Sequence, residues 1–335
     1  MTSRDRIRTI VGGRAADRCG FWLGMPHPDT WPIYLKHFGA DSEEEVRRIL
    51  GDEMRWISAD SAYKDPGGRE LFGMHRTGIS ENPVPVFRDT TDPKEVDSIE
   101  WPNPDYLDFS GVVEALRNAG DVYRASGMWS CFFHIIADFF GMEEYFVKMY
   151  THPEVVDAVT ERVCEFYLEA NRRFFDAAGD EADAFFMGND YGTQLDLIVS
   201  PEIIDRFIMP YTRELLGQAK RRGYQVVHHC CGAVHKMIPM LIDAGIDGLH
   251  PIQALAHDMD AETLARDFRG KVAFIGGIDT QRLLVHGTPD QVKEDVRRVK
   301  RLLGPSLVVS PSHEAILPNV PPENVIAMAE AAREM

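Results

Sequence analysis

Short apolar runs alternate with longer amphipathic stretches along most of the chain, a pattern typical of repeated strand–helix units. Brief apolar runs bounded by polar or turn residues indicate strands, and apolar positions at three- and four-residue spacing indicate helices. The predicted strands are Phe21–Leu23, Arg55–Ala59, Met128–Ile135, Ala184–Gly188, Gln225–His229, Gly248–Pro251, Val272–Ile275 and Leu307–Ser310. The predicted helices are Pro153–Ala178, Pro201–Arg222, Val234–Ala244, Ala261–Phe268, Pro289–Leu303 and Pro322–Arg333. Helix-start signals, such as Ser200 before Pro201 and Thr288 before Pro289, support these boundaries.

Eight strand candidates in a chain of 335 residues favour an α/β fold, specifically a (β/α)8 TIM barrel whose chemistry lies at the carboxyl ends of the strands. A doubly wound open sheet is the alternative. We expect residues 1–335 to form a single barrel domain with an N-terminal extension. Residues 61–120 break the alternation with proline and glycine turn signals, which predicts a lid-like insertion over the barrel mouth or a surface excursion without function.

The charge, the cysteine content and the apolar segments of the chain indicate what kind of molecule it binds and where it is located. The formal net charge of -17 argues against nucleic acids and anionic membranes, and favours small molecules or proteins. The five cysteines form no disulfide framework, which suits a reducing compartment. Residues 1–18 lack the apolar core of a signal peptide, and no apolar run approaches the ~18 residues of a membrane span. We therefore expect a cytoplasmic protein.

The pentad His228-His229-Cys230-Cys231-Gly232 closes the fifth predicted strand. Because successive side chains of a strand point to opposite faces, His229 and Cys231 share one face, while His228 and Cys230 are predicted to pack between sheet and helices. An imidazole and a thiolate suit Zn²⁺, and a catalytic zinc takes three protein ligands with one position open. The best candidate for the third ligand is His313, where another apolar run ends.

Polar side chains also follow the other predicted strands and should converge on the same end of the barrel. Asp190 and Glu314 are candidate catalytic carboxylates. Candidate substrate-binding residues are Asn189, Tyr191, Trp129, Gln253 and Asp279. Each has a structural alternative: Asp190, Gln253 and Asp279 are types that cap helices and turns, aromatic residues after strands often belong to the core, and His250 is as well explained as a buried core histidine.

From about Gly141 onward the chain resembles the uroporphyrinogen decarboxylase superfamily, specifically its branch of cobalamin-dependent methyltransferases and demethylases. The segments that carry the resemblance are Gly188–Gln194, His229–Gly232, Ala244–Gln253, Gly276–Gln281 and Pro321–Asn324. The resemblance implies a (β/α)8 barrel. In the methyltransferase branch it also implies a His-x-Cys-Gly motif and a late cysteine that hold zinc, and methyl exchange with cobalamin on a separate corrinoid protein.

Two departures from the family pattern decide between its activities. The decarboxylases carry arginines near their start that bind substrate carboxylates, whereas the corresponding segment Gly20–His27 has none, which disfavours a tetrapyrrole substrate. The late cysteine is replaced by His313, so zinc held by His229, Cys231 and His313 would keep one net positive charge and be a harder Lewis acid. That favours removing a methyl group from a small methoxy-type donor, with Asp190 or Glu314 assisting, over methylating a thiol. Methyl transfer from corrinoid to a thiol, and a metal-free decarboxylase, are the alternatives.

Overall fold

A computed structural model of the chain describes residues 1–73 and 84–335, and within them a ring of parallel strands surrounds a packed interior. The strands are β1 Gly20–Phe21, β2 Met54–Ser58, β3 Tyr123–Gly127, β4 Ala184–Gly188, β5 Gln225–His229, β6 Gly248–Ile252, β7 Ala273–Ile278 and β8 Leu307–Pro311. Each strand from β2 to β8 pairs in parallel with the next, and β1 pairs with β8. Glu53 N donates to Phe21 O at 3.0 Å across the gap between β1 and β2, so the barrel is nearly closed. The predicted (β/α)8 barrel is confirmed, and the open sheet is wrong.

Helices surround this barrel. The α-helical segments of the described residues are α1 Ser3–Val11, α2 Trp31–Phe38, α3 Glu43–Leu50, α4 Ser110–Asn118, α5 Phe132–Phe140, α6 Met142–Thr151, α7 Pro153–Ala178, α8 Pro201–Ile203, α9 Met209–Arg221, α10 Ile238–Ala244, α11 Ala261–Phe268, α12 Leu283–His286, α13 Pro289–Leu303 and α14 Pro322–Arg333. A π-helical turn, Ile204–Ile208, joins α8 to α9. Ser200 caps α8 and Thr288 forms a capping box with Gln291 at α13, as their sequence signals predict. In the part of the chain that the structure describes, no helix has the length and apolarity needed to cross a lipid bilayer.

The N-terminal extension covers the amino end of the barrel. Ile7 and Ile10 of α1 pack in one buried cluster with Met54, Tyr123 and Ala184, the first residues of β2, β3 and β4. Higher in the same interior, aromatic rings fill the barrel, because inward-facing side chains of alternating strands must occupy its axis. With the amino end closed, the open end of the barrel is the carboxyl end.

One predicted strand is wrong. The run Met128–Ile135 is a loop followed by the first turn of α5, and the third strand is instead Tyr123–Gly127. The helix is apolar on nearly all sides because it is buried against other helices, so its residues show no helical stripe. The strand was hidden because Arg124 and Ser126 interrupt its apolar pattern, although both side chains are buried.

The described part of the 61–120 segment packs beside the helices that follow β3. Phe87 and Trp101 contact the ring of Phe139 in α5, with ring centroids 5.4 and 5.2 Å away. Helix α4 packs on β2 and so continues the strand–helix alternation. Residues 74–83 lie outside the described residues. That the segment covers the barrel mouth stays a prediction.

Candidate metal centre

Strand β5 sorts its two histidines as the alternation predicts. His229 points to the barrel axis, where its ring lies 5.1 Å from that of Trp129. His228 points outward, is fully buried, and its ring stacks on Tyr191. Burial lowers the pKa of His228 to about 3, so this ring is neutral. Cys230 is also fully buried in the outer layer, which confirms the predicted packing of both residues between sheet and helices.

The turn after β5 is fixed by a close approach of two backbones. Gly232 has φ +94°, and a Cβ placed there would lie 2.3 Å from the backbone oxygen of Gly192. Only glycine fits this combination of a left-handed φ and a contact with backbone. The turn is held further by Cys231 N, which donates to Asp190 Oδ1 at 2.9 Å, and by Gly232 N, which donates to Gln253 Oε1 at 3.0 Å. The thiol of Cys231 is thereby positioned by backbone geometry.

His229, Cys231 and Asp190 form the first group of possible metal ligands, with ligand atoms within 4.8 Å of one another. His229 Nε2 lies 3.3 Å from Cys231 Sγ and 3.2 Å from Asp190 Oδ1. Burial acts to raise the pKa of the Asp190 carboxyl, but hydrogen bonding and charge from His229 lower it overall. Burial acts to lower the pKa of His229, and Asp190 and Glu314 outweigh it, so that pKa is raised.

His250 backs His229 from the neighbouring strand β6. Their Nδ1 atoms lie 3.0 Å apart, so one ring donates to the other. Burial, and then the charge of His229, hold the pKa of His250 well below its usual range. If a metal binds His229 at Nε2, the proton of that ring lies on Nδ1, and a neutral His250 accepts it at its own Nδ1. His250 therefore orients a candidate ligand.

His313 and Glu314, after β8, complete the second group. The ligand atoms of Cys231, His313 and Glu314 lie within 4.8 Å of one another, and Glu314 also groups with His229 and His250. Glu314 Oε2 is buried without a hydrogen-bond partner. His313 Nδ1 accepts from Ala315 N at 3.1 Å, so its use as a ligand requires that bond to be exchanged. Cys231 belongs to two of the groups, one with His229 and one with His313. Among the described residues, the predicted set of His229, Cys231 and His313 is not itself one of the groups, so zinc binding by these three stays a prediction.

The predicted substrate-binding residues separate into two kinds. Trp129 and Gln253 lie at the mouth and are partly exposed. Asn189 is buried, where its Oδ1 accepts from Phe133 N at 2.9 Å, and Tyr191 is buried in the outer layer beside His228. The latter pair holds loops and packing in place.

Asp279 lines a cavity but is already fully engaged. Its Oδ1 accepts from Gln281 N at 2.8 Å, and its Oδ2 accepts from Arg282 N at 3.1 Å and Leu283 N at 2.9 Å. The capping alternative therefore describes what Asp279 does here. The cavity, of about 410 Å³, opens beside the second group and is lined by Gln253, His313 and residues that follow β7 and β8.

Two histidines of the site carry roles that the sequence did not reveal. His250 was balanced between core and site, and only its contact with His229 decides the matter. His134 accepts from Asp190 N at 2.9 Å through Nε2, and it lay inside the wrongly predicted strand. A helical interpretation of that run would have placed His134 one turn into α5, facing the mouth loops.

The fold and the site together define a (β/α)8 barrel with a candidate metal centre at its carboxyl end. A family model described as "Uroporphyrinogen decarboxylase (URO-D)" matches residues 70–335, and the chain therefore belongs to the uroporphyrinogen decarboxylase family.

Named relatives carry the same description. The chain is 31% identical over 195 residues to a uroporphyrinogen decarboxylase of Geobacter sp. (strain M21), and 32% identical over 197 residues to one of Geotalea daltonii. Each alignment covers 56% of this chain and 51% of the relative, so the chain matches about half the length of these curated relatives. Among solved structures, a methyltransferase from Methanosarcina mazei superposes with a TM-score of 0.70 at 16% identity, covering 99% of this chain and 98% of that one. That likeness shows the shared fold.

Proposed function

We propose that this protein is a zinc-dependent methyltransferase of the demethylase type, which moves a methyl group from a small methylated donor such as a methoxy compound to the cobalt of a separate corrinoid protein. The observation that carries the proposal is a pair of ligand groups that share Cys231, one with His229 and Asp190 and the other with His313 and Glu314. Glu314 Oε2 is also buried without a hydrogen-bond partner, 3.6 Å from His313 Nδ1 and 3.9 Å from His229 Nδ1. The fold likeness to a methyltransferase supports it.

The residues present fit a zinc ion. Imidazole, thiolate and carboxylate are its ordinary ligands. Burial, followed by the charges of Asp190 and Glu314, raises the pKa of the Cys231 thiol, and a divalent cation among these groups would offset both effects. A cation would also give Glu314 Oε2 the partner it lacks. Zinc would be held by His229 and Cys231, with His313 as the proposed third ligand and Glu314 as the competing one.

The third ligand matters because it sets the charge of the centre. His313 would leave one net positive charge on zinc, whereas Glu314 would cancel it. When bound, zinc supplies a Lewis acid that polarises the heteroatom of the methyl donor. In the transfer, the bond between methyl carbon and oxygen would break with its electron pair staying on oxygen, and the reduced corrinoid of the partner protein would supply the electron pair of the new bond to the methyl group.

The chain's own residues have distinct tasks in this proposal. Asp190 positions the Cys231 turn by accepting from Cys231 N at 2.9 Å, and its carboxylate lies 3.2 Å from His229 Nε2, beside the proposed zinc. His250 fixes the ring orientation of His229. Glu314, when it is not a zinc ligand, lies close enough to the ligands to bring a proton to the oxygen that leaves. Trp129 forms a wall beside His229.

Cobalamin is placed on a partner because the sequence contains no cobalamin-binding motif of the Asp-x-His-x-x-Gly type. A corrinoid protein must then dock at the mouth, where the methyl donor is bound. The reverse reaction, from corrinoid to a thiol, uses the same residues and is distinguished by a neutral zinc, which a Glu314 ligand would give.

Decarboxylation of a uroporphyrinogen-type substrate is the second candidate, because the named relatives carry that description. Such a substrate presents many carboxylates and needs cationic side chains to bind them. Among the described residues that line the mouth cavity there is no lysine or arginine, and the adjoining site adds the carboxylates of Asp190 and Glu314. The electrostatics of the mouth therefore favour methyl transfer.

Metal analysis tests the zinc half of the proposal. Protein purified without chelator is expected to carry about one zinc per chain, and Cys231→Ser should lose most of it. Cys164→Ser, which alters a fully buried cysteine of α7, is the matched control and should retain zinc. Comparing the zinc affinity of His313→Ala with that of Glu314→Gln identifies the third ligand. Zinc-free wild-type protein would overturn the metal assignment.

A further inference from the structure

The cavity beside the candidate centre has a hydrogen-bonding lining that is rich in amides. It is about 410 Å³ in volume, within the size range of small-molecule sites. It shares His313 with the proposed zinc ligands, so a molecule bound there would reach the centre. Four side chains that present amides to it are Gln194, Gln253, Gln281 and Asn319.

The amides keep both donors and acceptors for a ligand. Gln253 Oε1 is occupied, since it accepts from Gly232 N at 3.0 Å and from Gln194 Nε2 at 3.2 Å. Its own NH₂ group is therefore left to donate into the cavity, and Gln194 retains its oxygen as an acceptor. The hydroxyls of Thr280 and Ser312 bond each other at 3.3 Å, and Ser312 Oγ also accepts from Thr280 N at 3.2 Å, so the pair keeps one hydroxyl proton to donate and lone pairs to accept.

The described residues of this lining offer no side chain that is available to pair with a charged ligand. Its one carboxylate, Asp279, accepts three backbone N–H groups and has little capacity left for a cation. Among the described lining residues there is no lysine or arginine to bind an anion, and His313 is the only one with a ring, so no aromatic cage for an alkylammonium forms there. Leu255 and Val285 supply apolar contact for carbon atoms.

We infer that the methyl donor is a neutral, oxygen-rich methyl ether bearing free hydroxyl groups, and that methylated ammonium compounds and methoxy carboxylates are rejected. The inference rests on the proposed function and names its substrate class. A charged donor would leave water for a lining whose described residues include no lysine or arginine and whose one carboxylate is already engaged. The one positive charge of the proposed zinc is offset by the carboxylates of Asp190 and Glu314 beside it. A neutral polyol ether can instead satisfy the amides and hydroxyls.

Binding of three probes that share a methoxy group tests the inference directly. Glycerol monomethyl ether is neutral, O-methylcholine is cationic and methoxyacetate is anionic. Ligand-observed NMR titration of the zinc-loaded protein should show the neutral probe binding about tenfold or more tightly than either charged one. Equal binding of all three, or preference for a charged probe, would overturn the inference, as would absence of binding, which would mean that the cavity holds only water.

Gln253→Glu locates the binding in this cavity. The change keeps the oxygen that accepts from Gly232 N but replaces the donating NH₂ group by negative charge, so preference should reverse toward O-methylcholine. Gln291→Glu makes the same substitution at the remote cap of α13, where glutamate also completes a capping box, and should leave the order of binding unchanged. Unaltered preference in Gln253→Glu would show that the probes bind elsewhere.

The same titration separates this inference from the proposed function. It is repeated on Cys231→Ser, in which the proposed zinc is removed. Neutral-probe selectivity that persists there, with no methylation of cobalt by the wild type, would sink the methyltransferase proposal and leave the cavity assignment standing. Methylation of cobalt from a charged donor would support the methyltransferase proposal and overturn the inference that the donor is neutral.

Discussion

Replacing His228 by phenylalanine is expected to make the protein more resistant to acid. The imidazole is fully buried, neither ring nitrogen has a hydrogen-bond partner, and the ring stacks on Tyr191. Buried polar atoms without partners cost roughly 1–3 kcal/mol each, and phenylalanine keeps a flat ring in their place. We therefore expect His228→Phe to be no less stable than the wild type at pH 7.

The pH dependence follows from the lowered pKa of His228. Its pKa is about 3 in the folded protein and 6.5 in the unfolded chain. The unfolded chain thus binds a proton first, so stability is present above pH 6.5 and is lost as the pH falls toward 3. The loss approaches about 1.4 kcal/mol per pH unit, which amounts to about 2 kcal/mol between pH 7 and pH 5. His228→Phe removes this contribution.

Urea denaturation of the wild type and variants at pH 7 and pH 5 measures the difference. The gap in unfolding free energy between His228→Phe and wild type should widen by about 2 kcal/mol at pH 5. His228→Gln is the control: it should be less stable than His228→Phe at both pH values because it keeps buried polar atoms, yet its difference from the wild type should shift by the same amount between pH 7 and pH 5. A gap that does not change with pH would refute the burial of an unpartnered His228.

Three further changes probe the site itself. Gly232→Ala should lose at least about 2 kcal/mol of unfolding free energy and most of its zinc, because the added Cβ would meet the backbone oxygen of Gly192 at 2.3 Å. Urea denaturation and metal analysis measure the two losses. Gly39→Ala, also at positive φ but in open space, should lose less stability and keep zinc, and equal losses in the two variants would contradict the clash. His250→Phe should weaken zinc binding about 10–100-fold in a chelator competition, since it removes the acceptor that orients His229, and unchanged affinity would show that this bond is dispensable. Asp279→Asn should cost about 1–3 kcal/mol in unfolding free energy with zinc retained, because fewer of its three backbone donors are satisfied, whereas lost zinc would show that Asp279 acts at the centre.

The spacing of apolar residues predicted most of the strands and helices, because the sequence also marks where many of the helices begin and end. Pro153–Ala178, Ala261–Phe268 and Pro289–Leu303 have the predicted bounds, since proline or capping residues mark their starts and the apolar stripe persists to their ends. The run Met128–Ile135 failed because α5 is buried on nearly all sides: His134 is the one polar residue between Phe132 and Ala137, so the run shows almost no alternation of apolar and polar positions. Burial of Arg124 in β3 depends on partners distant in sequence, among them Glu181, which no local pattern reveals.

For the site, strand alternation was enough to separate His229 from His228. It was not enough to separate caps from ligands, because Asp279 engages its own loop through backbone N–H groups whose directions depend on the loop conformation. The burial of Glu314 Oε2 without a hydrogen-bond donor also depends on packing, because elements distant in sequence determine which donors lie within its reach. Sequence predicts which groups reach the mouth, and the fold decides which of them remain available.

The absorption spectrum of cobalt shows directly whether this protein transfers a methyl group to a reduced corrinoid. Zinc-loaded protein is incubated with reduced cobalamin or a reduced corrinoid protein and a panel of methyl ethers, methylamines and thioethers. We expect conversion of the reduced cobalt to methylcobalt with a neutral ether, lost in Cys231→Ser and retained in Cys164→Ser. No methylcobalt with any donor, together with release of CO₂ from uroporphyrinogen by the same preparation, would contradict it.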